Sequence, residues 1–206
     1  MIAGALMLLT LITSGIIAEI YAKQAAGQEF YKSADAAAAG YAFVYEHKAV
    51  IVYDTTDTAN GIYRLDESKK VSGNTYPVIA PGTEIPKDTF IEFSGTNDVA
   101  YYLYLEAADN FPKDSSGELT DIRYTISQDS WKRTDDFEPR HGGKVYVYSD
   151  SGAKPHMIEP HRTAVISDII QNNMLYVSES FKDITEPLKN SEPLMIQFYV
   201  YLVQKD

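Results

Sequence analysis

The sequence predicts an all-β protein, a two-sheet antiparallel sandwich of jelly-roll-like organisation with an N-terminal apolar helix. Three observations carry that expectation. About eight short segments alternate apolar and polar residues with turn formers between them, and no strand–helix–strand alternation is present. The closing stretch Leu194 to Gln204 is apolar on both faces, as a strand in the middle of a sheet would be. Ile2 to Ala18 holds seventeen residues without a charge, ended by Glu19.

That first run reads as the core of an export signal, with a retained membrane anchor or a buried helix as alternatives. A spanning helix needs about 20 apolar residues, and a secretory core about 7 to 15 behind a basic segment. No Lys or Arg precedes Ile2. The chain therefore divides into residues 1–22, a signal peptide or membrane anchor; 23–40, an extended or flexible segment; and 41–206, the β-sandwich domain.

Tyr41, Phe43 and Tyr45 recur at period two and predict a strand from Tyr41 onward. The apolar run Ala49 to Tyr53 ends in the turn cluster Asp54 to Gly61. Ile62 to Leu65 is a short strand, and Asp66 to Asn74 a charged linker. In the stretch from Val78 to Ala107, Pro81-Gly82 and Pro86 punctuate the entry, because proline fixes φ and glycine accepts a positive one. Phe90 to Phe93 and Val99 to Glu106 then read as a β-hairpin. Tyr101, Leu103 and Leu105 face the core, and Tyr102, Tyr104 and Glu106 face away.

Thr120 to Ser127 turns Ile122, Tyr124 and Ile126 inward ahead of Trp131, and Lys144 to Ser149 sets Val145 and Val147 opposite Tyr146 and Tyr148. Thr163 to Ile170 and Met174 to Ser178 are apolar segments separated by the turn Gln171-Asn172-Asn173. Ser180 to Asn190 forms a short helix or irregular turn around Pro187.

Composition removes whole classes of function. The 18 Lys and Arg against 29 Asp and Glu give a net charge of −11, and no basic run exceeds the pairs Lys69-Lys70 and Lys132-Arg133. A nucleic-acid partner, which needs a basic patch to neutralise phosphate, does not fit. The chain has no cysteine, so disulfides, thiolate metal sites and cysteine nucleophiles are out.

No catalytic, cofactor-binding or metal-binding set stands out. The histidines are His47, His141, His156 and His161, and none forms the HExxH pair that zinc proteases place on one helical face. His156 and His161 are five apart, with Pro160 between them denying a helical amide. Asp54, Asp57 and Asn60 before Gly61 lack the spacing of an EF-hand loop, so calcium there is an expectation the sequence leaves open, and plain turn formation is the simpler reading. No nucleophile elbow is present. The 16 tyrosines fall largely at alternating strand positions, where cross-strand aromatic pairs each contribute a few tenths to about 1 kcal/mol.

The order of motifs resembles that of TasA/camelysin-like surface proteins, a group exported with a SipW-type signal peptide. The entry Pro81-Gly82-Thr-Glu-Ile-Pro-Lys87-Asp88, the Asn97-Asp98 loop and the strand Tyr102-Leu-Tyr104-Leu-Glu carry the match. Tyr124, Ile126, Trp131 and the closing Phe198-Tyr-Val-Tyr201-Leu-Val-Gln204 extend it to about two-thirds of the chain. The absent basic segment and residues 23 to 75 depart from the pattern.

The resemblance implies a non-catalytic, exported cell-surface or biofilm-matrix protein, extracellular or anchored, that associates with itself or with other matrix or surface proteins. Signal peptidase is its partner if the N-terminus is cleaved, and residues 1–22 are its only membrane contact. Assembly by β-strand addition would use Lys23 to Tyr45 as donor, anchored by Phe30, Tyr41 and Phe43. The alternatives are a glycan- or protein-binding module and, with less support, a camelysin-like metalloprotease.

Overall fold

The computed structural model describes residues 11–12, 17–18, 41–52, 63–76, 79–95, 100–150, 154–181 and 194–204. Antiparallel strands dominate: β1 (Leu11–Ile12), β2 (Ile17–Ala18), β3 (Tyr41–Ile51), β4 (Tyr63–Val71), β5 (Thr75–Tyr76), β6 (Glu84–Pro86), β7 (Phe90–Ser94) and β8 (Tyr101–Asp109) in the first half. The second half holds β9 (Ile122–Arg123), β10 (Trp131–Arg133), β11 (Lys144–Asp150), β12 (Lys154–Pro155), β13 (Met157–Ile158), β14 (Thr163–Ile166), β15 (Met174–Val177) and β16 (Ile196–Gln204). Among the described residues the only helix is a 3-10 turn, Gln171–Asn173. No helix there is long and apolar enough to cross a membrane.

The expected N-terminal helix is not what the described part of the apolar run adopts. Leu11–Ile12 pairs with Thr75–Tyr76, and Ile17–Ala18 pairs with Ala42–Phe43. An uninterrupted apolar run does not by itself distinguish helix from buried strand, and this one carries β-branched residues at Thr10, Ile12, Thr13, Ile16 and Ile17 around Gly15.

Among the described residues, four sheets organise the strands. A six-stranded sheet runs β10-β11-β8-β13, with β12 on β11 and β16 on β8; a five-stranded sheet runs β14-β7-β3-β2, with β4 on β3. The smaller ones are β6-β15-β9 and β1-β5. Buried side chains of both larger sheets share one hydrophobic cluster: Ala42, Val44, Ile91 and Phe93 from one, Leu103, Leu105, Phe198 and Val200 from the other.

Three sequence expectations shift. Phe90–Ser94 and Tyr101–Asp109 are not a hairpin: β7 pairs with β3 and β14, while β8 pairs with β11, β13 and β16. The connection crosses between sheets, and the rings of Phe93 and Tyr101 meet at 6.2 Å from opposite sides of the core. The supposed linker after Leu65 continues as β4 to Val71. Its exposed pattern reflects an open face, and the register jump opposite His47/Lys48 passes over Glu67 to Lys69. Finally, β16 pairs only with β8, along its full length, so it is an edge strand of that sheet among the described residues. Its two apolar faces have another cause. Ile196, Phe198 and Val200 enter the main core, while Tyr201 joins a second cluster with Phe137 and Val145 on the outer face.

The turn at Pro81-Gly82 follows its sequence signature. Gly82 sits at φ 72°, the Thr83 amide donates back to the Ala80 carbonyl at 3.4 Å, and proline then glycine occupy the central positions of a type II turn. The 182–193 stretch, with the irregular turn expected around Pro187, lies outside the described residues.

Candidate functional site

Ala42 and Phe43 of β3 are paired twice, with Phe93 and Glu92 of β7 on one edge and with Ala18 and Ile17 of β2 on the other. The second edge is therefore occupied by two residues of the N-terminal apolar run. Tyr41 and Phe43, expected as anchors of a free donor, lie inside this strand. The period-two pattern that starts at Tyr41 continues to Ile51 and folds with the sheet. Phe43 is half-buried, with its ring 6.1 Å from that of Tyr45. Phe30 lies outside the described residues.

Behind this edge sits a cluster that takes in Lys87 and Asp88. The Lys87 ammonium, 2% exposed, lies 2.9 Å from the carboxylate of Glu46, 3% exposed. The other Glu46 oxygen accepts the main-chain amide of Asn74 at 2.8 Å. Asn74 in turn mends the irregularity in β3: its side chain donates to the His47 carbonyl and accepts from the Ala49 amide, both at 2.7 Å. Asp88 accepts from the His47 amide at 3.0 Å and contacts the His47 ring nitrogen. Tyr76 donates to the Pro86 carbonyl at 2.8 Å, and burial, then the Glu46 carboxylate, push its phenol well above the ordinary value. Lys87 and Asp88 thus clamp the segment after β6 onto β3 from two sides. Such a pair is costly to break, because a lone buried charge remains.

The six-stranded sheet carries a different arrangement on its outer face. Glu106 is fully buried there, although its alternation with Tyr102 and Tyr104 suggested solvent. The loop between β10 and β11 folds back over it. Glu106 accepts from the main-chain amides of Arg140, His141 and Gly143 at 3.0, 2.8 and 2.9 Å, and from the Tyr201 hydroxyl at 2.7 Å. Burial alone would raise this carboxyl, but those four donors outweigh it and hold its pKa below the ordinary 4.5. Burial, then the carboxylate, push the Tyr201 phenol up.

Phe137 from the same loop lies 4.9 Å from both Tyr104 and Tyr201, and His141 stacks on Tyr199 at 3.6 Å. Gly143 permits the close approach at this closure, since a Cβ there would meet the Ala107 carbonyl and force the loop to shift. The tyrosine face is largely roofed by this loop.

The remaining motif residues are structural in placement. Trp131, 1% exposed, packs edge-on against Tyr148 at 5.5 Å. Tyr102 is half-buried and opposes Val203 and Met157. Phe198 opposes Ala107, and Gln204 opposes Tyr101 in the main-chain register. His156 packs against Tyr148 at 5.5 Å, and exposed His161 occupies a left-handed turn at φ 54°. Among the described residues no three His, Asp or Glu side chains gather as metal ligands. Asp54, Asp57 and Asn60 lie outside the described residues.

No family model, curated protein or solved structure matches the chain. The geometry therefore carries the functional argument alone.

Proposed function

We propose that this chain is a non-catalytic, exported surface or matrix protein of the TasA/camelysin-like kind, folded as a two-sheet, jelly-roll-like sandwich whose subunits join by strand addition. The observation that carries this reading is the pairing of Ile17–Ala18 on the β3 edge opposite β7. Those residues belong to the run read as an export signal. Cleavage after it would bare the Ala42–Phe43 edge, a row of backbone donors and acceptors that another strand can complete. The shared core of the two larger sheets and the β7-to-β8 crossover support the sandwich.

Because Tyr41 and Phe43 belong to β3, this reading assigns them to the acceptor edge and takes 23–40, with Phe30 as its largest apolar anchor, as the arm that a neighbouring subunit would lend. The test is a chain of residues 23–206 examined by light scattering and negative-stain imaging. Concentration-dependent assembly is expected, and further removal of 23–40 abolishes it. A 23–206 chain that stays monomeric at high concentration, with no change on removing 23–40, contradicts the reading.

A further inference from the structure

The loop after β8, the Arg123 to Gln128 segment, β10 and the start of β11 enclose an open cleft of about 640 Å³, within the range of small-ligand sites. Its walls are chemically mixed. Register places Arg133 opposite Tyr146 and Lys144 opposite Ala107, on the core-facing side of the six-stranded sheet, and Arg123 enters from β9. Arg123, Arg133 and Lys144 are exposed and have no carboxylate partner among the described residues.

The carboxylate of Asp109 is already engaged. It holds Lys113 at 3.0 Å and the Tyr124 hydroxyl at 2.8 Å. In a chain with 29 acidic and 18 basic side chains, these three and Lys132, which also lines the cleft without a carboxylate partner among the described residues, make a local positive field against the overall charge.

Between the cations lie aromatic groups. Tyr124 and Tyr146 are half-buried, and Trp131 forms part of the wall. Burial, then the Asp109 carboxylate, raise the Tyr124 phenol, so it stays a donor at all ordinary pH. The buried Trp131 indole N–H has no acceptor among the described residues, and a buried donor left unmatched costs roughly 1–3 kcal/mol. The rim adds Glu118, Thr125 and Gln128.

From this juxtaposition we infer that the cleft binds an acidic oligosaccharide, a chain of sugars bearing carboxylates. The guanidinium groups of Arg123 and Arg133 and the Lys144 ammonium take the carboxylates. The tyrosine rings face the C–H surfaces of the sugar, and Glu118, Thr125 and Gln128 exchange hydrogen bonds with its hydroxyls. A polyphosphate would use the cations but has no hydroxyl donors for Glu118 to accept, which a sugar supplies. The inference does not depend on strand addition.

The chain contains one tryptophan, Trp131, so its fluorescence reports on this cleft alone. The full chain is titrated with trigalacturonate by calorimetry and by fluorescence. Saturable binding with a matching fluorescence change is expected, weakened at least 10-fold by Arg123→Gln or Arg133→Gln and unchanged by Arg162→Gln, an exposed cation outside the cleft. Maltotriose, tripolyphosphate and tri-glutamate run alongside, and each is expected to bind at least 10-fold more weakly. Absent binding of trigalacturonate overturns the inference, as does binding without a fluorescence change or undiminished in the cleft variants. Equal or tighter binding of the neutral sugar removes charge as the recognition element, and equal or tighter binding of tripolyphosphate or tri-glutamate reassigns the ligand class.

Discussion

Glu46 in the five-stranded sheet and Glu106 in the six-stranded sheet are both buried strand carboxylates, and the surroundings compensate them in opposite ways. Glu46 meets a buried ammonium, Lys87, plus one amide. Glu106 meets three main-chain amides and a tyrosine hydroxyl, with the His141 ring at the margin. The first solution joins two chain segments through a charge that has no escape to water. The second fastens a loop over a sheet face, using donors that any residue type supplies except at Gly143. The six-stranded sheet is thereby closed on its outer face and braced by the full-length β8–β16 pairing. The five-stranded sheet is strongly tied behind β3, yet its β3 edge is completed at Ala42–Phe43 by two residues of the N-terminal run. A buried ion pair behind the edge and a two-residue strand on it are what the proposed acceptor site requires, if the N-terminal run is cleaved.

The contrast predicts unequal penalties. Lys87→Met should cost about 3–5 kcal/mol in urea denaturation, because the buried Glu46 carboxylate loses its counter-charge. Pairing it with Glu46→Leu should restore most of that loss. A single-variant cost under about 1 kcal/mol would mean that water reaches Glu46 and the two sites are alike.

Glu106→Gln should cost less, about 2 kcal/mol, the scale of hydrogen bonds to a charged acceptor. It should also change the acid limb of the stability curve. The folded pKa lies below the unfolded value, so the Glu106 contribution is complete above about pH 4.5 and is lost as pH falls from there toward the folded value. Urea midpoints measured from pH 6 to pH 3 should fall less steeply in the Gln variant than in the parent. Parallel curves would remove the carboxylate from the account of the latch.

Gly143→Ala follows, at roughly 1–2 kcal/mol, since the loop must shift away from the Ala107 carbonyl. The smallest effect belongs to the opposite edge of the five-stranded sheet. Val165 of β14 is 63% exposed, and Val165→Lys should leave stability within about 0.5 kcal/mol. It should also leave the assembly of residues 23–206 intact, and loss of assembly would move the interface from β3 to β14.

Side-chain facing was legible wherever period two held. Tyr101, Leu103 and Leu105 are buried, and Val145 and Tyr146 occupy opposite faces, as the alternation requires. The partner of each strand was not legible. A turn-rich loop after Phe93 suits a hairpin and an inter-sheet crossover equally, and the choice is made by strands that arrive later, β14 against β7 and β16 against β8. The two carboxylate sites were hidden for the same reason. Lys87 lies 41 residues from Glu46, and the amides on Glu106 come from 34 to 37 residues downstream. Only the run Arg140-His141-Gly142-Gly143 hinted at a tight closure, through its glycines. Lys87 and Asp88 stood out as motif positions, but their partners on β3 did not, since Glu46 and His47 belong to a polar run, Glu46-His47-Lys48, in an otherwise aromatic and aliphatic strand.

The claim that the β3 edge is an acceptor completed by a removable strand is tested most directly by hydrogen exchange, followed by mass spectrometry on the peptide covering Tyr41 to Tyr45. Three samples decide it: the full chain, residues 23–206 held monomeric at low concentration, and residues 23–206 after assembly. The account predicts protection in the first, faster exchange in the second and protection regained in the third. Equal exchange in all three samples would contradict it.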